Sequence, residues 1–176
     1  ILRELSKSPK CVAIGEIGLD YYWRQDNKEL QKKVFEEQIL LANELNLPII
    51  VHDREAHEDT LNILKKHKPK GVLHCFSGSA EMAKEVLRLG MYIGLGGALT
   101  FKNARKPVEV AEMLPLEKLL LETDCPYMAP VPMRGKRNYS GYIPYIAERV
   151  AEIKGIAPQE VLDTTSKNTK QLFNIK

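Results

Sequence analysis

Short apolar runs punctuate this chain, and polar residues end them abruptly. Val12-Ala13-Ile14 gives way to Gly15-Glu16, Ile49-Ile50-Val51 to His52, Val72-Leu73 to His74, and Leu119-Leu120-Leu121 to Glu122-Thr123-Asp124. Apolar residues on consecutive positions cover both faces of a strand, as in a buried parallel sheet. Strands are therefore predicted at Val12–Gly15, Pro48–His52, Gly71–Cys75, Tyr92–Leu95 and Leu119–Glu122. Helical spacing fills the intervals. Over Lys28–Asn46, Leu30, Val34, Gln38, Leu41 and Leu45 recur, with Phe35 and Ala42 on the same side. Further helices are predicted at Ala56–His67, Ser79–Leu89, Asn103–Met113, Ile143–Lys154, Pro158–Thr165 and Lys167–Phe173. Ser79 is the expected N-cap of its helix, and Gly90 and Gly155 are expected stops. Ile1–Lys10 reads as a helix tail and a turn, which leads us to expect further sequence upstream.

Glu16–Asp20 is expected to be a loop bracketed by Gly15 and Gly18, carrying Tyr21-Tyr22-Trp23 beyond it. Pro126–Tyr142 is expected to be a long loop, the kind that is usually functional in a compact domain. Strands and helices alternate throughout. That order is the signature of βα units wound into one parallel sheet, so residues 1–176 are expected to form a single α/β domain.

The chain's 176 residues suffice for one domain with a real core, and 44% hydrophobic with 28% charged residues is ordinary for a globular protein. A net charge of +3 is compatible with a polyanionic substrate without arguing for one. No apolar run approaches the roughly 18 residues of a membrane span. Cys11, Cys75 and Cys125 have no CxxC spacing and read as reduced thiols, which places the protein in the cytoplasm.

What changes the picture is where the polar breaks fall. In a βα barrel all strand C-termini meet at one face, so Glu16, His52, His74 and Asp124 are expected to converge in one cup. Two imidazoles and two carboxylates form the mixed nitrogen and oxygen set of hydrolytic divalent metals. His57 and His67 are read as surface residues of a helix. Arg54 should face the rim of the cup, Lys102 follows a Gly-Gly loop, and Arg134, Lys136 and Arg137 lie on the long loop. These cations are either solvated surface charges or a clamp for a phosphodiester. Tyr21, Tyr22 and Trp23 are read either as faces for unpaired bases or as packing beneath their loop.

GEIGLDYYW at Gly15–Trp23, VHDREA at Val51–Ala56, HCFSG at His74–Gly78, GGALTFKNA at Gly96–Ala104, LLLETDCPYMAP at Leu119–Pro130 and RGKRN at Arg134–Asn138 resemble, in order, the motifs of the TatD family of metal-dependent deoxyribonucleases. The resemblance implies a TIM-type (β/α)8 barrel, here lacking about the first three strands and the family's His-x-His pair. It implies two divalent ions (Mg, Mn or Zn) and 3′→5′ exonuclease or related DNase activity. Glu16 matches the metal-bridging glutamate, His52 and His74 the histidine pair on one metal, and Asp124 the aspartate on the other metal that orients the attacking water. Asp124 and Glu16 are thus the expected catalytic residues, and Arg54, Lys102, Arg134 and Arg137 the expected substrate contacts. DNA is the expected partner, with no membrane and no obligate protein partner. The open edges of a five-stranded sheet make self-association of the chain a further expectation. Alternative expectations are a related hydrolase acting on another ester or amide such as aminoacyl-tRNA, a non-catalytic nucleic-acid-binding module, and an inactive fragment.

Overall fold

Five parallel strands pair side by side in chain order: β1 (Ile14–Asp20), β2 (Ile49–Arg54), β3 (Gly71–Leu73), β4 (Tyr92–Leu95) and β5 (Leu119–Leu121). The structure is a computed structural model describing residues 1–175. After a single turn of helix, α1 (Leu2–Leu5), the strands alternate with α2 (Lys28–Glu44), α3 (His57–His67), α4 (Ala80–Arg88) and α5 (Arg105–Met113), and α6 (Ile143–Lys154) and α7 (Pro158–Phe173) close the chain. Among the described residues β1 and β5 each have a single strand neighbour, so both carry an open edge.

Period-two alternation sorts side chains between the two faces of this sheet. Leu19, Val51, Leu73, Ile93 and Leu119 join the main core with Phe35 and Ile39 of α2, Leu64 of α3, Val86 of α4 and Val150 of α6. Phe35 and Ile39 are fully buried, and each such side chain stabilises the fold by about 1.5–3 kcal/mol relative to exposure. The intervening Ile50, Val72, Tyr92 and Leu120 form a smaller cluster on the opposite face, with Leu172 and Phe173 of α7.

The βα order is as the apolar pattern anticipates, but several details differ. β1 starts later and runs through Asp20, so Glu16–Asp20 is strand and not loop. It pairs Gly18 with His52, Leu19 with Asp53 and Asp20 with Arg54, after a register shift between Ile14 and Ile17. Gly18 is required there: a Cβ would lie 1.9 Å from the His52 carbonyl oxygen. On α2 the buried face is Phe35, Ile39 and Ala42, while Leu30 and Val34 stay exposed; the core face is turned by about one residue, and the polar Gln31 points inward to bond the Asp20 N–H at 2.8 Å. The two expected terminal helices are one, because Val161, Thr165 and Asn168 continue a single buried stripe across Ser166. His67 is a correction: its side chain is only 11% exposed, 3.6 Å from Glu36, whereas His57 is half-exposed and bonded to Asp53 at 2.7 Å. Ser79 does cap α4, accepting from the Met82 N–H at 3.2 Å. Among the described residues no helix is long and apolar enough to cross a membrane.

Candidate metal centre

The same alternation decides what reaches the chemistry. Ile17, Val51, Leu73 and Leu121 face the helices, so their neighbours Glu16, His52, His74 and Glu122 fall on the other face, at the C-terminal ends of β1, β2, β3 and β5. Asp124 follows two residues after Glu122. Glu16, His52, Arg54, His74, Cys75 and Asp124 line one cleft of about 350 Å³.

His74 sits at its centre with a side chain 10% exposed. Its Nε2 lies 3.7 Å from Glu16 Oε1 and 3.8 Å from Asp124 Oδ1. Its Nδ1 is 2.7 Å from Glu122 Oε2. An ionised carboxylate only accepts, so Nδ1 carries a hydrogen, and once the ring is deprotonated Nε2 turns a lone pair toward Glu16 and Asp124. Glu122 also accepts from the backbone N–H of Cys75, a residue turned into the left-handed region at φ 47. Gly94 makes room for that carboxylate, since a Cβ there would be 2.8 Å from it. Burial alone would lower the His74 pKa, but the Glu122 hydrogen bond and the charges of Glu122, Glu16 and Asp124 outweigh it and raise it to about 8.

His52 repeats the arrangement. Its Nε2 is 3.0 Å from Asp20 Oδ2, which leaves Nδ1 free. Asp20 also accepts from the backbone N–H groups of Tyr22 at 3.0 Å and Trp23 at 3.1 Å. Burial pushes the Asp20 carboxyl up, yet those N–H groups and His52 together hold it below its ordinary value.

Each histidine thus has one nitrogen fixed by a carboxylate and the other available, the arrangement that orients metal-ligating imidazoles. An imidazole nitrogen with two carboxylates 3.7 and 3.8 Å from it is a donor set that suits a divalent cation, so the residues present fit the group the sequence implies. Among the described residues the one trio whose ligand atoms all lie within 4.8 Å of one another is His74, Cys75 and Glu122. It suits a cation less well: Glu122 is already engaged by two donors, and burial followed by the charges of Glu122, Asp124 and Glu16 pushes the Cys75 thiol of the metal-free chain up to about 12, so a cation there has to displace a tightly held proton.

The expected substrate cations divide. Arg54 lines the cleft, with its guanidinium over the rings of Tyr22 and Trp23. Lys102, Arg134 and Arg137 are exposed on loops outside the cleft lining, and Arg134 stacks 3.9 Å over Phe101. The long loop is nevertheless well tied. Asn138, buried within it, bonds the Tyr127 carbonyl at 2.7 Å, and Thr100 accepts from the Val131 N–H at 2.8 Å. Sequence reasoning missed Glu122 and Asp20. The one available signal for Glu122 was its spacing from Asp124, two residues, which puts both carboxylates on one side of an extended chain.

The family described as TatD related DNase matches residues 1–174. The chain is 50% identical over 177 residues to the uncharacterized metal-dependent hydrolase YabD of Bacillus subtilis, covering 99% of this chain and 69% of that protein. It is 40% identical over 184 residues to the 3′-5′ ssDNA/RNA exonuclease TatD of Erwinia tasmaniensis, covering 99% of this chain and 70% of the relative. Among solved structures, the TatD homolog YjjV of Escherichia coli superposes with a TM-score of 0.91 at 35% identity, over 99% of this chain and 68% of that one. A TatD family hydrolase of Entamoeba histolytica gives 0.85 at 29% identity, with 99% and 68% covered. The five-stranded sheet is thus part of a TatD-type TIM barrel, and the chain belongs to the TatD-related DNase family of metal-dependent hydrolases.

Proposed function

We propose that this chain carries the C-terminal five βα units of a barrel, as one domain, and hydrolyses phosphodiester bonds of DNA from the 3′ end with the help of two divalent cations. One observation carries the reading: His74 Nε2 faces Glu16 and Asp124 oxygens at 3.7 and 3.8 Å while Glu122 holds its other nitrogen. Glu16, His52, His74 and Asp124 would hold the cations. When bound, divalent cations supply the positive charge that acidifies water and offsets charge developing on the phosphate. Asp124, 41% exposed at the mouth, orients the attacking water and takes its proton. Glu16 keeps its carboxylate on the shared space. Arg54 binds the phosphate entering the cleft, and Lys102, Arg134 and Arg137 contact the strand further out on the loops. Three free thiols fit a cytoplasmic location.

The test is Asp124→Asn, assayed on a 5′-labelled single-stranded oligonucleotide with Mg²⁺, Mn²⁺ or Zn²⁺. Turnover is expected to fall by about 10²–10⁴-fold, the usual contribution of a positioned base. Undiminished turnover removes Asp124 from the mechanism. Relatives at 50% and 45% identity are named for metal-dependent hydrolysis alone, so aminoacyl-tRNA is run alongside. Preferential turnover of that ester would move the reading to the other substrate.

A further inference from the structure

Tyr21, Tyr22 and Trp23 lie in sequence but do different things. Tyr21 is buried, donates its hydroxyl to Asp59 at 2.7 Å and lies under the ammonium of Lys28 at 4.5 Å. Tyr22 and Trp23 are 54% and 70% exposed. Their rings meet edge to face at 4.8 Å, and the Arg54 guanidinium lies 4.1 Å above Tyr22 and 5.5 Å from Trp23.

Single exposed aromatics are common and need no explanation. This pair differs in two ways. The backbone presenting it is fixed, through Asp20 bonding both N–H groups, Tyr21 anchored below, and the Tyr21 N–H donating to the Arg54 carbonyl at 2.9 Å. It also adjoins the cleft, because Arg54 lines the space that holds Glu16, His52, His74 and Asp124. A guanidinium packed over a ring still has N–H groups to offer a phosphate.

We infer that Trp23, backed by Tyr22 and Arg54, is a stacking subsite for one unpaired nucleobase of a strand whose phosphate meets Arg54 and leads into the cleft. The inference rests on the proposed phosphodiester reading and deepens it, naming the side chain that takes an unpaired base. Every base has a π-face, so the subsite is indifferent to sequence. It favours single strands over duplex ends, where the bases are already stacked.

Trp23 is the sole tryptophan of the chain, so its fluorescence reports on this site alone. The chain in EDTA is titrated with a short oligothymidylate and with an abasic oligomer of equal phosphate count, and affinities are read from the anisotropy of labelled strands. Oligothymidylate should quench the tryptophan and the abasic strand should not. Trp23→Ala should weaken oligothymidylate by about 5- to 150-fold, the equivalent of about 1–3 kcal/mol per stacked base, leave the abasic strand unchanged, and be largely rescued by Trp23→Phe. The inference is overturned if neither strand binds, if the abasic strand quenches equally, if Trp23→Ala binds oligothymidylate like the parent, or if quenching follows protein concentration without DNA, which would make the platform a contact between copies. Base-dependent quenching without cleavage of any strand by the metal-loaded parent would sink the hydrolase reading and leave the subsite standing.

Discussion

Replacing Glu122 by glutamine isolates the charge that positions His74. The carboxylate accepts from His74 Nδ1 at 2.7 Å and from the Cys75 N–H, beside Gly94. Glutamine has nearly the same shape but a single acceptor oxygen. If that oxygen serves Cys75, the amide NH2 faces Nδ1 and drives the hydrogen to Nε2, the nitrogen that looks at Glu16 and Asp124. If it serves His74, two donors oppose each other at Cys75 in a partly buried place, a cost of about 1–3 kcal/mol. Either outcome weakens a cation site built on Nε2, and loss of such an outer hydrogen bond typically costs 10–100-fold in metal affinity, about 1.4–2.8 kcal/mol. With the charge gone and burial remaining, the His74 pKa should fall from about 8. Calorimetric titration with Mn²⁺ gives the affinity, and nitrogen shifts of the His74 ring give the tautomer. A Glu122→Gln chain with parental Mn²⁺ affinity and an unchanged ring tautomer would refute the positioning argument.

Three other outcomes are expected. His74 lies at about 8 against an ordinary 6.5, so in the metal-free chain it adds about 2 kcal/mol that is fully present below 6.5 and lost as pH rises through 8. A cation needs the deprotonated ring, so Mn²⁺ affinity should do the opposite, falling about tenfold per pH unit below 8 and levelling above it; an affinity flat across that range would contradict the site. Gly18→Ala puts a methyl 1.9 Å from the His52 carbonyl oxygen at φ +145, forcing β1 and β2 apart. A cost of about 3 kcal/mol or more and a Tm lower by about 6–12 °C are expected in a thermal melt, and a variant melting with the parent would refute the close approach.

Elements with clear punctuation were legible from sequence. Tyr92–Leu95 and Ile143–Lys154 fall where the apolar pattern places them, the latter closed by Gly155 in the left-handed region at φ 67. Misreadings occur where tertiary contacts outweigh local pattern. Gly15 and Gly18 look like loop residues but serve the close β1–β2 approach. Leu30 and Val34 look like a core stripe, yet Gln31 takes the inward position because the Asp20 backbone needs a partner there. His67 reads as a surface residue and lies largely covered beside Glu36. Convergence of Glu16, His52, His74 and Asp124 on one cleft was readable, because strand ends in a βα fold meet at one face. Asp20 and Glu122 were not, since a residue that acts by holding a histidine is visible only once the two are in space.

On the proposed function a cation sits on the Nε2 side of His74, with Glu16 and Asp124. The direct measurement is an anomalous difference map from crystals of the chain grown with Mn²⁺. A peak is expected at about 2.0–2.3 Å from His74 Nε2 and from a carboxylate oxygen of Glu16 or Asp124. A peak instead on the Nδ1 side, among His74, Cys75 and Glu122, or none within reach of His74, would contradict it.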